Sequence, residues 1–222
     1  MEKILCISDS LGLPRPGVYY SHTWISMLKE RMPDKDFIPL FRRSGTTDML
    51  SDWDYGEFLS FYNPEEVILQ LGICDCSPRY MRTTSLVYRV MNKMPGIIQK
   101  IFWKIYKLFV KRTVNRTDVP ASRFRENIEN YLGHCLKNGV KRVIILKIAQ
   151  PGPKMVNANP LVVQTIAQFN EIYDDISRKW QFVTLIDPLN IPEDTYYVDG
   201  YHANQAGNGR VAGELEDLLK KA

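Results

Sequence analysis

Lys3-Ile4-Leu5-Cys6-Ile7-Ser8-Asp9-Ser10-Leu11 opens as a strand and closes as a polar turn. Its first part, Lys3–Ser8, is a short and nearly continuous apolar run, the composition of a strand buried on both faces of a sheet. Runs of the same kind recur at Phe37–Phe41, Glu66–Leu71, Arg142–Ile148 and Phe182–Ile186, each bounded by polar residues, Gly or Pro. Between them, His22–Arg31, Arg123–Lys137, Pro160–Lys179 and Ala203–Lys221 carry helical periodicity, and no internal repeat is evident. Strand alternating with helix predicts an α/β chain with a five-stranded parallel sheet covered on both faces. Sheets of this type hold their ligands beyond the carboxyl ends of the strands. The candidate site is therefore built from Ser8-Asp9-Ser10-Leu11, Ser44-Gly45-Thr46-Thr47, Gly72-Ile73-Cys74-Asp75 and a late loop, Asp199-Gly200-Tyr201-His202.

Composition narrows the class. With 222 residues, 45% hydrophobic and 24% charged, the chain reads as a soluble globular protein, one domain spanning 1–222 with an insertion. Lys and Arg exceed Asp and Glu by only 29 to 25, a surplus too small to predict nucleic-acid binding. Cys6, Cys74, Cys76 and Cys135 form no Cys-x-x-Cys pair, and the 3 histidines assemble no zinc-type cluster, so no metal is expected. This cysteine usage predicts a reducing, cytoplasmic setting. The N-terminus lacks the pattern of a secretion signal, and lysines interrupt every apolar stretch before it reaches the ~18 residues of a spanning helix.

The loops carry chemistry. A serine at the end of the first strand can sit on a tight turn whose backbone N–H groups face a developing oxyanion. Ser10 has that position. Its hydroxyl needs a base, and the base needs a carboxylate to fix its tautomer; Asp199 and His202 supply both from one short loop. His22, in an early helical segment, and His134, in an amphipathic helix, are placed less well for that task.

Taken together these segments resemble the SGNH (GDSL-like) serine hydrolases. Ile7-Ser8-Asp9-Ser10-Leu11 is similar to the family's first block, with Ser8 where glycine usually stands and Ser10 in the nucleophile's place. Ser44-Gly45-Thr46 resembles the second block, whose glycine gives a backbone N–H to the oxyanion hole. Asp199-Gly200-Tyr201-His202 resembles the last. The third block should read Gly-x-Asn-Asp, but here it is Gly72-Ile73-Cys74-Asp75, with cysteine in place of the oxyanion-binding asparagine. Losing one such donor typically costs about 10²–10³ in rate; Thr46, Thr47 and Arg79 are candidate replacements. The resemblance implies a flavodoxin-like three-layer α/β/α sandwich with strand order 2-1-3-4-5. It also implies ester hydrolysis through an acyl-enzyme, with Ser10, Asp199 and His202 catalytic, Ser10, Gly45 and Cys74 at the oxyanion hole, and no cofactor. The expected substrate is a small-molecule or saccharide ester, including a lipid-linked saccharide. The alternatives are O-acyl transfer in cell-surface polysaccharide assembly and a catalytically degenerate binding module.

A long segment, about 77–117, reads as an inserted helical unit and holds no acidic residue against ten cations from Arg79 to Arg116. Within it Ile97, Ile98, Ile101, Phe102, Ile105, Leu108 and Phe109 follow helical spacing, with Lys100, Lys104, Lys107 and Lys111 largely opposite. This amphipathic helix predicts a lid, a dimer contact or, through residues 97–112, a peripheral contact with the inner face of a membrane, with Trp103 and Tyr106 at headgroup level. No nucleic-acid-binding motif accompanies the basic run, and nucleic acid is not an expected partner.

Overall fold

The computed structural model describes residues 1–191 and 193–221, with Trp53 and Asp54 described by backbone only. Five strands form one sheet: β1 (Glu2–Ser8), β2 (Lys35–Phe41), β3 (Glu66–Gln70), β4 (Arg142–Leu146) and β5 (Val183–Ile186), in the order 2-1-3-4-5. Every pair is parallel; Ile4 lies beside Phe37 on one side and Glu66 on the other. The helices are α1 (Trp24–Arg31), α2 (Trp53–Tyr62), α3 (Ile73–Cys76), α4 (Leu86–Met91), α5 (Gly96–Phe109), α6 (Ala121–Lys137), α7 (Pro153–Ala158), α8 (Val162–Lys179) and α9 (Gln205–Leu219).

The period of two along each strand sorts side chains into two cores. Ile4 and Cys6 of β1, Ile68 of β3, and Ile144 and Leu146 of β4 pack with Trp24, Leu28, Val211 and Leu215 of α1 and α9. Their neighbours Leu5, Ile7, Val67, Leu69, Val143 and Ile145 pack on the other face with Ile128, Leu132, Ile166 and Ile176 of α6 and α8. Each such fully buried aliphatic side chain contributes roughly 1.5–3 kcal/mol relative to exposure. This is a three-layer α/β/α sandwich with the strand order that the family resemblance implies.

Several bounds differ from expectation, each for a visible reason. β4 ends at Leu146, not Ile148, because the Asn170 side chain takes over Ile148: its Oδ1 accepts the Ile148 N–H at 2.9 Å and its Nδ2 donates to the Ile148 carbonyl at 2.9 Å. Pro39 is tolerated inside β2 because β2 is an edge strand and needs no second ladder. Residues Tyr20–His22 form a 3₁₀ turn, so α1 begins only at Trp24. α2 was not anticipated; its aromatic-rich sequence with Gly56 has low helix propensity, and packing against α6 outweighs it.

In the inserted segment, α4 and α5 stand on a base tied by the Arg79 N–H on the Arg116 carbonyl, 2.8 Å. Trp103 and Tyr106 do not face outward. The Trp103 ring meets those of Tyr106 and Tyr88, each with centroids 5.8 Å apart, and Phe102 stacks on Tyr106. α5 thus has three faces instead of two: aromatics turned inward, lysines on one flank, and aliphatics on the other. No helix among the described residues is long and apolar enough to cross a membrane.

Candidate active site

β1 delivers Ser8 to the carboxyl edge of the sheet, where Asp9 turns the chain by accepting the Leu11 N–H at 2.8 Å. That cap starts the 3₁₀ turn Ser10–Gly12 and raises the Ser10 side chain above the sheet. Ser10 Oγ lies 3.0 Å from His202 Nε2, and His202 Nδ1 lies 2.7 Å from Asp199 Oδ2. A carboxylate can only accept, so Nδ1 carries the hydrogen and the Nε2 lone pair faces the serine hydroxyl. Asp199 Oδ1 also accepts the His202 backbone N–H at 3.0 Å, closing the four-residue turn around the pair.

The late loop is held from both ends. Gly200 has φ +95°, and a Cβ there would fall 2.6 Å from the Met155 backbone nitrogen, so glycine alone lets the loop approach α7. The Gly152 N–H donates to the Gly200 carbonyl at 2.7 Å. Behind His202, buried Asn208 donates to the Ala203 carbonyl at 3.1 Å and accepts the Trp24 N–H at 3.0 Å, tying the loop to the start of α1.

Electrostatics suit a proton acceptor. Burial lowers the His202 pKa below the ordinary imidazole value, and the nearby Arg15 charge pushes the same way, while the bond to Asp199 opposes both. Burial raises Asp199, yet the hydrogen bonds from His202 outweigh it and hold the carboxyl below its usual range. Arg15 comes from the turn that follows the serine, where it pairs with Val18, and its guanidinium donates to the Ser10 carbonyl.

The expected oxyanion donors are placed unevenly. No acceptor among the described residues takes the Ser10 N–H. The Gly45 N–H donates at 2.9 Å to the Arg42 carbonyl inside its own turn, so it must be shared or released before it can serve an oxyanion. Cys74 lines a cavity next to Tyr201, and burial pushes its thiol far up, which leaves it protonated and removes it as a thiolate nucleophile. Its contact with Asp9 favours the ionised carboxylate there. Thr47 is committed elsewhere: its N–H and hydroxyl both donate to Asp75 Oδ1, at 2.8 and 2.6 Å. Arg79 Nε is held by Asp118 at 3.1 Å. His22 lies beside Tyr19, and His134 lies on α6.

Two supporting residues, Arg15 and Asn208, were not singled out from sequence, and a third, Asp75, was named only as part of its loop. Arg15 sits five places after Ser10, in the Pro14-Arg15-Pro16-Gly17 turn, and that proximity was its only signal. Asp75 fixes the second loop to the third, a role hidden because its partner Thr47 is 28 residues away. Asn208 lies on a helix face and looks like an ordinary polar position.

The chain thus combines a parallel 2-1-3-4-5 sheet with Ser10, His202 and Asp199 linked by hydrogen bonds at its carboxyl edge. The solved structures to which the chain is similar carry that fold. They include TesA (16% identity, 99% of each chain, TM-score 0.62) and the acetyl xylan esterase AlAXEase (18% identity, 98% of this chain and 99% of the other, TM-score 0.65). A lipolytic protein of the G-D-S-L family from Veillonella parvula is also similar, at 12% identity over 100% of both chains, TM-score 0.61. At these identities the likeness is one of fold. No family model and no curated protein matches the sequence.

Proposed function

We propose that this chain is a serine-dependent esterase that cleaves a carboxylic ester of a saccharide, residues 1–222 acting as one domain with an inserted unit at about 77–117. Ser10 attacks the carbonyl, His202 takes its proton and later returns it to the leaving alcohol, and Asp199 holds the imidazole in the required tautomer. The Ser10 N–H faces the oxyanion, with Gly45 and Cys74 beside it. The single observation that carries this reading is the unbroken relay from Ser10 Oγ through His202 to Asp199, at 3.0 and 2.7 Å. The test is release of p-nitrophenol from short-chain esters, together with fluorophosphonate labelling. Wild-type protein should turn over and label, and Ser10→Ala should lose both; turnover that survives in Ser10→Ala sinks the proposal. Labelling without turnover would favour acyl transfer to a sugar hydroxyl in place of water.

A second reading has a specific observation behind it. Cysteine at the third-block position and the internally bonded Gly45 N–H together describe a weakened oxyanion hole, as in a binding module that keeps the fold without the rate. Cys74→Asn tests this reading: restoring an amide donor should create or raise activity, by about 10²-fold, and a Cys74→Asn protein no more active than wild type would count against it.

The inserted unit supports a peripheral contact with an anionic membrane, which would hold the enzyme beside a lipid-linked substrate at the cytoplasmic face. Ile97, Ile101, Leu108 and Phe109 of α5 are 73, 57, 77 and 82% exposed. Lysines flank them without any acidic residue between Ser77 and Thr117.

A further inference from the structure

A cavity of about 310 Å³ lies between the catalytic loops and the inserted unit. Cys74 and Tyr201 line it from the loops, and the Tyr201 ring lies against His202 with centroids 3.9 Å apart. From the inserted unit it is lined by Arg79, Tyr80, Trp103 and Arg112. The volume is that of a small-ligand pocket, and its wall combines flat aromatic faces with two guanidinium groups.

The charges on that wall are incompletely matched. Arg79 donates through Nε to Asp118, which also accepts the Thr83 N–H at 2.8 Å, and no partner among the described residues takes its two terminal nitrogens. The Arg112 guanidinium lies 4.4 Å above the Tyr80 ring and donates to the Ala158 carbonyl, while its buried Nε has no partner. Asn159, 7% exposed, donates to the Pro78 carbonyl at 3.1 Å and leaves its buried Oδ1 without a donor. Of the ten cations between Ser77 and Thr117, Arg79 alone forms an ion pair among the described residues.

A planar guanidinium with open N–H groups matches a carboxylate or phosphate in bidentate geometry. Aromatic faces take the C–H face of a pyranose. We infer that this cavity is a subsite for an anionic saccharide, with Arg79 and Arg112 binding a carboxylate or phosphate on the alcohol half of the ester while its acyl group reaches Ser10. The assignment of the alcohol half rests on the esterase reading above; anion binding by the cavity does not.

The experiment is therefore a binding one. Ser10→Ala protein is titrated calorimetrically at low salt with glucuronate, glucose 1-phosphate and glucose. At least one anionic sugar should bind tenfold or more tightly than glucose, the better of the two naming the anion, and the preference should weaken as salt is added. Arg79→Gln and Arg112→Gln, each added to Ser10→Ala, should lose most of that preference. Arg79→Lys and Arg112→Lys should keep part of it, at unfolding temperatures that show each variant folded. Equal affinity for all three sugars, no binding of any, or a preference that survives both glutamine variants would overturn the inference. Loss of the esterase reading by the Ser10 test would leave these titrations unaffected.

Discussion

At the scale of the residue, the site is a balance of charges around one imidazole. In the proposed relay His202 must be neutral to accept the Ser10 proton, and burial together with Arg15 lowers its pKa. An acceptor with a lowered pKa is already deprotonated at a lower pH, so kcat/KM should rise with pH through a midpoint below the ordinary imidazole value near 6.5 and be flat by neutrality. Arg15→Gln removes a cation that disfavours imidazolium, so the same profile should move to higher pH. A pH–rate series on both proteins checks this, and an unmoved or acid-shifted midpoint in Arg15→Gln counts against it. The sequence shows Ser10 directly after a strand and Asp199 three residues before His202, and the fold brings these three within hydrogen-bond distance. It could not show Arg15 or the bond that occupies the Gly45 N–H, because both depend on how loops close in space and not on residue type.

At the scale of the element, the sheet was legible because a buried parallel strand needs a continuous apolar run, and each of the five runs contains or overlaps its strand. Two elements were harder to read. α2 is built from residues of poor helix propensity, and α5 has too many apolar residues for a two-sided pattern. Its aromatics and its aliphatics share one composition but occupy different faces, since only Phe102, Trp103 and Tyr106 find rings to meet. The remaining aliphatics face solvent beside lysines, an arrangement suited to an interface between water and anionic lipid. In a flotation assay the protein should rise with phosphatidylcholine vesicles that contain phosphatidylglycerol. It should stay below with phosphatidylcholine alone, and Ile101→Glu combined with Leu108→Glu should remain below in both. Flotation indifferent to those substitutions would move the contact elsewhere.

At the scale of the whole molecule, two buried carboxyls link the site to stability. Asp9 and Asp75 are fully buried, and burial pushes each pKa up to about 7 against opposing hydrogen bonds from Leu11 and Thr47. The folded chain therefore retains protons that the unfolded chain has released above pH ~4. Stability contributed this way is fully present at low pH and is lost as pH rises toward about 7, after which it levels off. His202, with its lowered pKa, works in the opposite direction over part of that window, so a single melting curve cannot isolate the effect. Comparison with Asp75→Asn can, because asparagine keeps a carbonyl acceptor for Thr47 and cannot ionise; groups remote from Asp75, His202 among them, cancel in the difference, and Asp9, which the Asp75 charge pushes up, adds to it with the same sign. In denaturant titrations across this range, wild-type stability should fall relative to Asp75→Asn by up to about 1.4 kcal/mol per pH unit, and the two curves should run parallel above it. Curves parallel throughout would mean that Asp75 is ionised in the folded protein at all these pH values, and that the bonds from Thr47 outweigh its burial.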